Sequence, residues 1–563
     1  MTGNKACPDS ELCVPYSWRR MKIAKRNIKE IQNMFQVFSA EKSYAGLLHL
    51  CKAVTVCSIC TIGIFTASGC TMLGPDFSKP HVAQPDGWTE SQDKAVSSAP
   101  LVHSEWWKVF GDPVLDRLVD TAYAQNLPLQ IAGLRILEAR AQLGIASGQL
   151  YPQVQQVGGS ATAVQLSENG PNYNPLVEDN FMDYQAGFDA AWELDFWGRF
   201  RRGIEAADAN LAATVADYDN ALVSLTAEVA RVYVRIRILE ERLAIALSNI
   251  ELQQESLRIA TVRFNNGATT ELDVQQALTN LSETQATVPA IKRSLRQSKN
   301  ALSTLLGMLP SDLADMLGPP GTVPVAPESV AAGVPAELLR RRPDVRSAEL
   351  QASLQSALIG IAESDLYPSF TLAGSIGYQS SDTGNSSAGD LFDSDSFRFA
   401  AGPGFRWNIF NYGRLKNNVR VQDARYQQAI VNYQNTVLGA YQEVEDAMVG
   451  FVESRQESGF RGTSAEAARR STEIARIQYR EGAVDFQRVI DSERSLVNQQ
   501  DLWTISRGEI ALSLIAMYKA LGGGWEVREG NEFVSPQNID AMQQRTDWGD
   551  LLEDKLQQIP AAK

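Results

Sequence analysis

The sequence repeats itself after about 215 residues, and this duplication limits the folds that the chain can adopt. Six positions of the first copy recur as the same residue 215 positions later: Trp192, Gly198, Arg199, Gly267, Leu306 and Gly307. Tyr151-Pro152 recurs as Tyr367-Pro368 after 216 positions, so the register holds over more than 150 residues with one slip. A repeat of this length predicts two copies of one structural unit.

Each copy contains a segment in which apolar and polar residues alternate. The segments 184–196 and 397–409 place apolar and aromatic residues on one face and polar residues on the other, as in a β-strand. Weaker alternation at 154–166 and 370–379 predicts a second strand in each copy. Their lengths match a tilted strand that crosses a membrane. A soluble sheet with one buried face would show the same alternation.

Aromatic residues at the ends of the apolar faces and the secretion signal described below favour the membrane interpretation, because outer-membrane barrels carry aromatic girdles. Four strands cannot close a barrel, and an open edge in lipid leaves backbone groups unsatisfied. The chain must then form oligomers. Two, three or four copies would give 8, 12 or 16 strands, and strand geometry leaves this number open.

A long helix follows each strand pair. No proline occurs between Pro175 and Pro289 or between Pro403 and Pro536. The runs 199–262 and 414–480 predict helices of roughly 100 Å each. They begin at the strand-to-helix junctions Gly198, Arg199, Gly413 and Arg414, and they end at the glycine turns Gly267 and Gly482.

Return helices at 268–306 and 483–521 complete each unit. Repeat 1 then spans 105–307 with short helices before its strands, and repeat 2 spans 336–522 with one short helix. Residues 308–335 are rich in proline and glycine and form a connecting segment, and 523–563 form a polar tail. The predicted fold class is therefore mainly α with membrane β, internally duplicated, with four strands per chain.

The positions of cysteine and histidine exclude several functions for the repeats. All six cysteines lie within the first 70 residues, and all three histidines precede residue 104. The repeats therefore have no disulfide, no thiolate or imidazole metal ligand and no histidine for catalysis. The net charge of −14 argues against binding to nucleic acid, whose phosphates are also negative.

The N-terminus has the features of a secretory signal. Lys42 and Lys52 precede an apolar run at 53–65, and three small residues follow before Cys70. We expect 1–69 to be a leader that is removed, with Met21 or Met34 as alternative starts. The small residues resemble a bacterial lipobox, which implies acylation of the Cys70 thiol. The alternative is ordinary cleavage nearby, with a free thiol. Residues 70–104 are expected to be an extended, lipid-anchored tether.

Several motifs resemble the outer-membrane efflux lipoproteins, the TolC/OprM-like (NodT-type) channel subunits of tripartite pumps. They are Cys70 with Gly74-Pro75-Asp76-Phe77, Trp106-Trp107 with Phe110-Gly111-Asp112-Pro113, Leu338 through Arg346, and Ile359 through Ser369. The resemblance covers about 70–523. It implies a homotrimer in the outer membrane, with one 12-stranded barrel continuous with a 12-helix periplasmic tunnel. It implies neither catalysis nor a cofactor apart from the lipid on Cys70.

The resemblance also implies a function and partners. The chain would be the passive exit duct of a tripartite efflux system for small molecules or drugs. Its hairpin tips at Gly267 and Gly482 would face a periplasmic adaptor, a membrane fusion protein, and through it an inner-membrane transporter of the RND type. Alternatives are an exit duct for type I protein or peptide secretion, a periplasmic adaptor or scaffold, and a trimeric coiled-coil adhesin.

The family's periplasmic entrance lies after the second glycine turn and is lined by acidic rings. Tyr479 and Asp491 match this pattern, whereas Arg488 stands where another member has a second acid, so Asp485 is a substitute candidate. Converging carboxylates would attract cations and repel anions. Asp491 could instead be a solvated carboxylate or the partner of a nearby arginine. In repeat 1, Glu271 and Asp273 are expected to be first-turn acids that stabilise the helix dipole.

Overall fold

A computed structural model describes residues 71–82, 87–93, 95–97, 104–171, 174, 178–331, 333, 341–384 and 386–552. The predicted leader and the predicted lipid site Cys70 lie outside these residues. Nine α-helices are present in the described part: α1 Pro113–Gln125, α2 Leu127–Gly148, α3 Arg199–Asn265, α4 Glu271–Leu305, α5 Ala314–Leu317, α6 Pro343–Ser364, α7 Arg414–Arg480, α8 Phe486–Ala520 and α9 Pro536–Gln543. The strands there are β1 Val96–Ser97, β2 Val154–Gln165, β3 Asn180–Leu194, β4 Val330–Ala331, β5 Ser369–Ser381 and β6 Phe397–Arg406.

The four long strands form one antiparallel sheet in the order β2-β3-β5-β6. β3 of the first repeat pairs with β5 of the second, from Asp183 opposite Ser381 to Leu194 opposite Phe370. The duplication therefore yields one continuous sheet instead of two separate hairpins. Within the described residues, the outer edges of β2 and β6 have no strand partner.

The two faces of this sheet differ in chemistry. The strand registers place large apolar residues on one face, where most of them are exposed: Val157, Phe188, Trp192, Leu372, Ile376, Phe397, Phe399 and Phe405. The opposite face carries polar and charged residues: Asp183, Gln185, Asp189, Glu193, Gln379, Arg398 and Arg406. An exposed apolar face of this extent fits contact with lipid, and the polar face fits an aqueous interior.

The long helices α3 and α7 contain 67 residues each. The helix predicted at 199–262 continues three residues further, to Asn265. The return helices α4 and α8 begin later than predicted, at Glu271 and Phe486, because the turns extend through three further residues and end at an extended N-cap residue. Within the described ranges, no helix is both long enough and apolar enough to cross a membrane.

The main core surrounds the upper part of α3. Trp106 and Trp107 are 1% exposed, and Trp106 stacks on Tyr518 of α8 with ring centroids 5.2 Å apart. Asp112 caps α1 by accepting a hydrogen bond from the Val114 amide at 2.9 Å. This core joins the start of repeat 1 to the end of repeat 2.

Two segments outside the predicted repeats also pack onto this frame. In the predicted tether, the carbonyl oxygens of Leu73 and Gly74 accept hydrogen bonds from the buried Arg202 at 3.0 and 3.2 Å. In the predicted polar tail, Arg528 forms an ion pair with the buried Asp219. Buried charges require such partners, and these pairs depend on contacts across more than a hundred residues of sequence.

The arginine-rich run before α6 has a structural role. Arg342 is buried and forms ion pairs of 2.7 Å with Asp344 and Glu443. Its Nη1 also donates to the carbonyl oxygen of Ala520 at the end of α8, at 2.6 Å. These contacts join the start of α6 to α7 and to the end of α8.

Candidate functional site

The lower ends of the four long helices converge on a small apolar cluster. Its buried members are Ala260 of α3, Ala277 of α4, Ala475 and Tyr479 of α7, and Phe486, Val489 and Ile490 of α8. The alanines allow the helix backbones to approach closely, and the larger side chains of α8 fill the remaining space. Both glycine turns adopt the left-handed conformation, with φ of +71° at Gly267 and +79° at Gly482.

Tyr479 connects the two hairpins at this end. Its hydroxyl donates to Asp273 Oδ2 at 3.2 Å, and its ring lies 4.7 Å from the guanidinium carbon of Arg263. Arg263 Nη1 also donates to the Tyr479 carbonyl oxygen at 2.5 Å. We call Arg263, Asp273 and Tyr479 the tip cluster. It joins α7 to α3 and α4 through groups from both repeats.

Tyr479 is the buried member of the tip cluster, and Arg263 and Asp273 are half-buried. Tyr479 is 3% exposed, and burial, together with the nearby Asp273 carboxylate, raises the pKa of its hydroxyl. The hydroxyl therefore remains protonated at physiological pH and can donate to Asp273. The interpretation of Asp273 as a first-turn acid was incomplete. It lies in the first turn of α4, but it also accepts hydrogen bonds from Thr269 and Tyr479.

The three charged gate candidates, Asp485, Arg488 and Asp491, lie at the start of α8 or in its first two turns and are exposed in the single chain. Asp485 is the N-cap of α8 and accepts from the Arg488 amide at 3.3 Å. Asp491 accepts from the Gln487 side chain at 2.8 Å. Arg494, an arginine considered as a partner for Asp491, pairs with Glu283 of α4 at 3.3 Å. Asp491 thus retains a solvent-facing carboxylate, whereas Asp485 also has a capping role.

Above the tip cluster, polar contacts attach α8 to the helices of repeat 1. Glu493 is 2% exposed and accepts hydrogen bonds from Ser256 of α3 and, at 3.0 Å, from Asn280 of α4. Gln500 accepts from Asn249 at 2.8 Å, and Asp501 pairs with Arg242 at 2.6 Å. Sequence reasoning missed these residues, because single polar residues in long helices give no signal of their partners.

Burial of Glu493 gives the contact a pH dependence. Burial raises the pKa of this carboxyl above its usual 4.5, because the charged form loses water. The folded state therefore favours the protonated form of Glu493. The contribution of this carboxyl to the free energy of unfolding is fully present below about pH 4.5 and is lost as the pH rises through the raised pKa. We expect Glu493→Gln to be more resistant to denaturant than the wild type at pH 8, with the difference shrinking towards pH 4. Urea unfolding in detergent measures this.

The matched control for this prediction is Glu509→Gln, which changes an exposed carboxylate on the same helix. It should follow the wild-type pH profile. Equal pH profiles of the wild type and Glu493→Gln would show that Glu493 contributes no pH-dependent stability.

Comparisons with known proteins identify the fold. The family model for outer membrane efflux proteins matches residues 118–308 and 334–523, which are the two repeats. The chain belongs to the outer membrane efflux protein family. Membership confirms the predicted family resemblance and the internal duplication of the fold.

Individual relatives extend over most of the chain. The pyoverdine export outer membrane protein OpmQ of Pseudomonas putida is 30% identical over 79% of this chain and 93% of its own length. The probable outer membrane lipoprotein SilC of Salmonella typhimurium is 29% identical, over 82% and 97%. The solved structure of the outer-membrane channel OprN has a TM-score of 0.75 and 32% identity, over 81% of this chain and 99% of that one.

These matches confirm three further predictions. The chain contributes four strands to a trimeric 12-stranded outer-membrane barrel that is continuous with a helical tunnel. It is the outer-membrane channel subunit of a tripartite efflux system, and it is located in the outer membrane. The alternative of a periplasmic adaptor does not fit this family. The roles of Cys70, the junction residues, the turn glycines and the gate candidates remain predictions.

Proposed function

We propose that this efflux channel is a passive duct for small molecules that carries out no chemistry of its own. The observation that carries this proposal is the continuity of the four-stranded sheet, apolar on one face and polar on the other, with helices of 67 residues. A polar inner face gives solutes an aqueous path, and energy for transport must then come from the pump that loads the duct. The naming of OpmQ for pyoverdine export favours small molecules over secreted proteins.

The proposed partners meet the duct at its lower end. We assign the turns at Gly267 and Gly482 to contact with a periplasmic adaptor, which links the duct to an inner-membrane transporter of the RND type. Both turns are exposed and lie beside the tip cluster. An adaptor bound here could act directly on the contacts that close the duct.

We also propose that Cys70 carries a covalent lipid. Arg202 holds Leu73 and Gly74 against the first turn of α3, immediately below the strand-to-helix junction at Gly198 and Arg199. Three peptide bonds connect residue 70 to Leu73, a maximum reach of roughly 11 Å. A lipid attached there would reach the membrane surface. The naming of SilC as a lipoprotein supports this assignment.

The duct function can be tested with purified protein. Heat-modifiable oligomers reconstituted in a planar bilayer should conduct ions, and cells that lack the chain should accumulate a small-molecule pump substrate until the gene is restored. A correctly assembled oligomer that conducts no ions, even after the tip cluster is disrupted, would contradict the proposal.

We propose further that Asp491 lines the periplasmic entrance. Three copies of its exposed carboxylate around one axis would attract cations. We expect Asp491→Asn to weaken block by multivalent cations added from the periplasmic side by about tenfold, equivalent to about 1.4 kcal/mol, and to raise single-channel conductance modestly. Glu509→Gln, which changes an exposed carboxylate of α8 outside the gate candidates, is the matched control and should leave the block unchanged. Unchanged block by Asp491→Asn would remove this residue from the entrance.

A further inference from the structure

The two repeats meet within the chain at a well-packed junction below β3 and β5. The Trp197 ring lies 4.8 Å from the ring of Tyr367, and Trp197 Nε1 donates to the Pro368 carbonyl oxygen at 2.8 Å. Trp197 follows β3, and Tyr367-Pro368 precedes β5. The contact therefore secures the base of the strand pair that joins repeat 1 to repeat 2.

Because of the duplication, an aromatic residue after a strand and a Tyr-Pro pair before a strand occur a second time, at the outer edges of the sheet. Tyr412 follows β6 and is the repeat equivalent of Trp197, 215 positions later. Tyr151-Pro152 precedes β2 and is the equivalent of Tyr367-Pro368. In the single chain, Tyr412 is fully exposed and Tyr151 is 66% exposed. Because β2 and β6 are the two outer strands, these parts lie at opposite sheet edges.

The backbone of Tyr412 gives a second, independent observation. Its φ is +49°, in the left-handed region that a non-glycine residue rarely adopts, and Gly413 follows with φ of +81°. This conformation is strained for a residue with a Cβ atom. Such strain persists where surrounding contacts fix the residue. The exposed ring of Tyr412 has no such contact among the described residues of its own chain.

We propose that Tyr412 of one protomer stacks on Tyr151 and Pro152 of the next copy, reproducing between chains the Trp197 contact within the chain. The partner is a second copy of the chain, because Tyr412 needs a surface equivalent to the Tyr367-Pro368 surface that Trp197 contacts within the chain. Tyr151-Pro152 of a second copy provides that surface. The unpaired edges of β2 and β6 then satisfy each other, as lipid requires. The inference takes the trimeric assembly as given and adds the residues and register of its seam.

The same symmetry fixes the register between β6 and the neighbour's β2. The strand pairs of the two repeats have the same register. The pair Val154–Ala191 of β2 and β3 becomes the pair Ser369–Arg406 of β5 and β6 when both residue numbers are increased by 215. Gln185 of β3 faces Gln379 of β5 within the chain. The equivalent pair between chains is Ala400 of β6 opposite Val164 of β2. Both residues of this pair lie on the polar face of the sheet.

Cysteine cross-linking tests this register. The chain after residue 70 contains no cysteine, so introduced thiols report alone, and the parent chain shows any background. Two differently tagged chains are coexpressed, one with Ala400→Cys and the other with Val164→Cys. Oxidation should give a heterodimer with both tags, because opposed residues on neighbouring strands have Cα atoms within the range of a disulfide.

The matched control pairs Ala400→Cys with Thr162→Cys, on the same face but two residues away along β2. That shift adds roughly 7 Å along the strand and should prevent efficient cross-linking. Preferential cross-linking of Ala400→Cys to Thr162→Cys would overturn the register. Absence of cross-linking for both pairs in a heat-modifiable trimer would overturn the proposed seam. Ion conductance of the same samples reports separately on the duct function.

Alanine variants test the aromatic contact. Tyr412→Ala and Tyr151→Ala should each lower the temperature at which the trimer dissociates in detergent, and the double variant should be no worse than the stronger single variant, because both remove one contact. Tyr412→Phe should keep most of the wild-type resistance through its ring. Additive effects, or no effect of either alanine variant, would contradict the contact.

Discussion

A channel in which Arg263 is replaced by alanine and Tyr479 by phenylalanine should be open for a much larger fraction of time than the wild type. These changes remove the hydrogen bond from the Tyr479 hydroxyl to Asp273 and the hydrogen bond from Arg263 to the Tyr479 carbonyl oxygen. They also remove the contact between the Arg263 guanidinium and the ring of residue 479. Hydrogen bonds to charged groups contribute about 1.5–3 kcal/mol each. A loss of about 2–3 kcal/mol per protomer shifts the closed–open equilibrium of that protomer by roughly 30- to 150-fold.

The expected readouts are higher mean conductance in planar bilayers and sensitivity of cells to a large antibiotic that the outer membrane normally excludes. The phenylalanine keeps the ring that packs 4.9 Å from Phe486, so the apolar cluster remains filled. Arg258→Ala is the matched control, since Arg258 lies on the same helix and makes an exposed pair with Glu255. Wild-type conductance from intact trimers of the double variant would exclude the tip cluster from closure.

The tip cluster also shows where sequence reasoning succeeded and where it stopped. The turns at Gly267 and Gly482 could be predicted because glycine in the left-handed conformation is a local signal. The length of α3 and α7 could be predicted from the absence of proline. The bond between Asp273 and Tyr479 joins residues 206 positions apart and depends on the axial register of two helix pairs. The spacing of hydrophobic residues predicts which face of a helix is buried. It does not predict which polar side chains of two different helices form a hydrogen bond.

The late start of the return helices has a local cause that the sequence does contain. Thr270 and Asp485 adopt extended backbone conformations and occupy the N-cap positions of α4 and α8. Both residue types favour this position. In each turn the glycine ends one helix three residues before the next N-cap, so a boundary placed directly after the glycine was too early.

The tail after residue 522 makes contacts that its polar composition does not predict. Arg528 pairs with Asp219, and its guanidinium carbon lies 5.2 Å from the centre of the Phe533 ring. Phe533 in turn packs edge-on against Tyr218 of α3, with centroids 5.1 Å apart. A few apolar and charged residues within a polar segment are enough to fix it when the partner surface is buried.

Replacing Arg528 by alanine should therefore destabilise the helical part of the protein strongly. Asp219 is 2% exposed and would retain a buried charge without its partner, a change that costs about 3–5 kcal/mol. Urea unfolding in detergent, followed by the helical circular dichroism signal, should show the loss. Arg545→Ala, which removes an exposed arginine from the same tail, should leave the unfolding curve unchanged.

The pH dependence of this defect identifies its cause. Burial raises the pKa of the Asp219 carboxyl, and loss of the Arg528 charge and hydrogen bonds, which lower it, must raise it further. The folded variant then favours the protonated form of Asp219. The free energy of unfolding of the variant should therefore fall furthest below that of the wild type at neutral pH, and the difference should shrink as the pH falls towards 4. Asp219→Leu combined with Arg528→Met should recover much of the loss, because it removes both buried charges and keeps apolar volume. A deficit independent of pH and not rescued by this pair would assign the effect to lost packing around Phe533 instead of to an unpaired carboxylate.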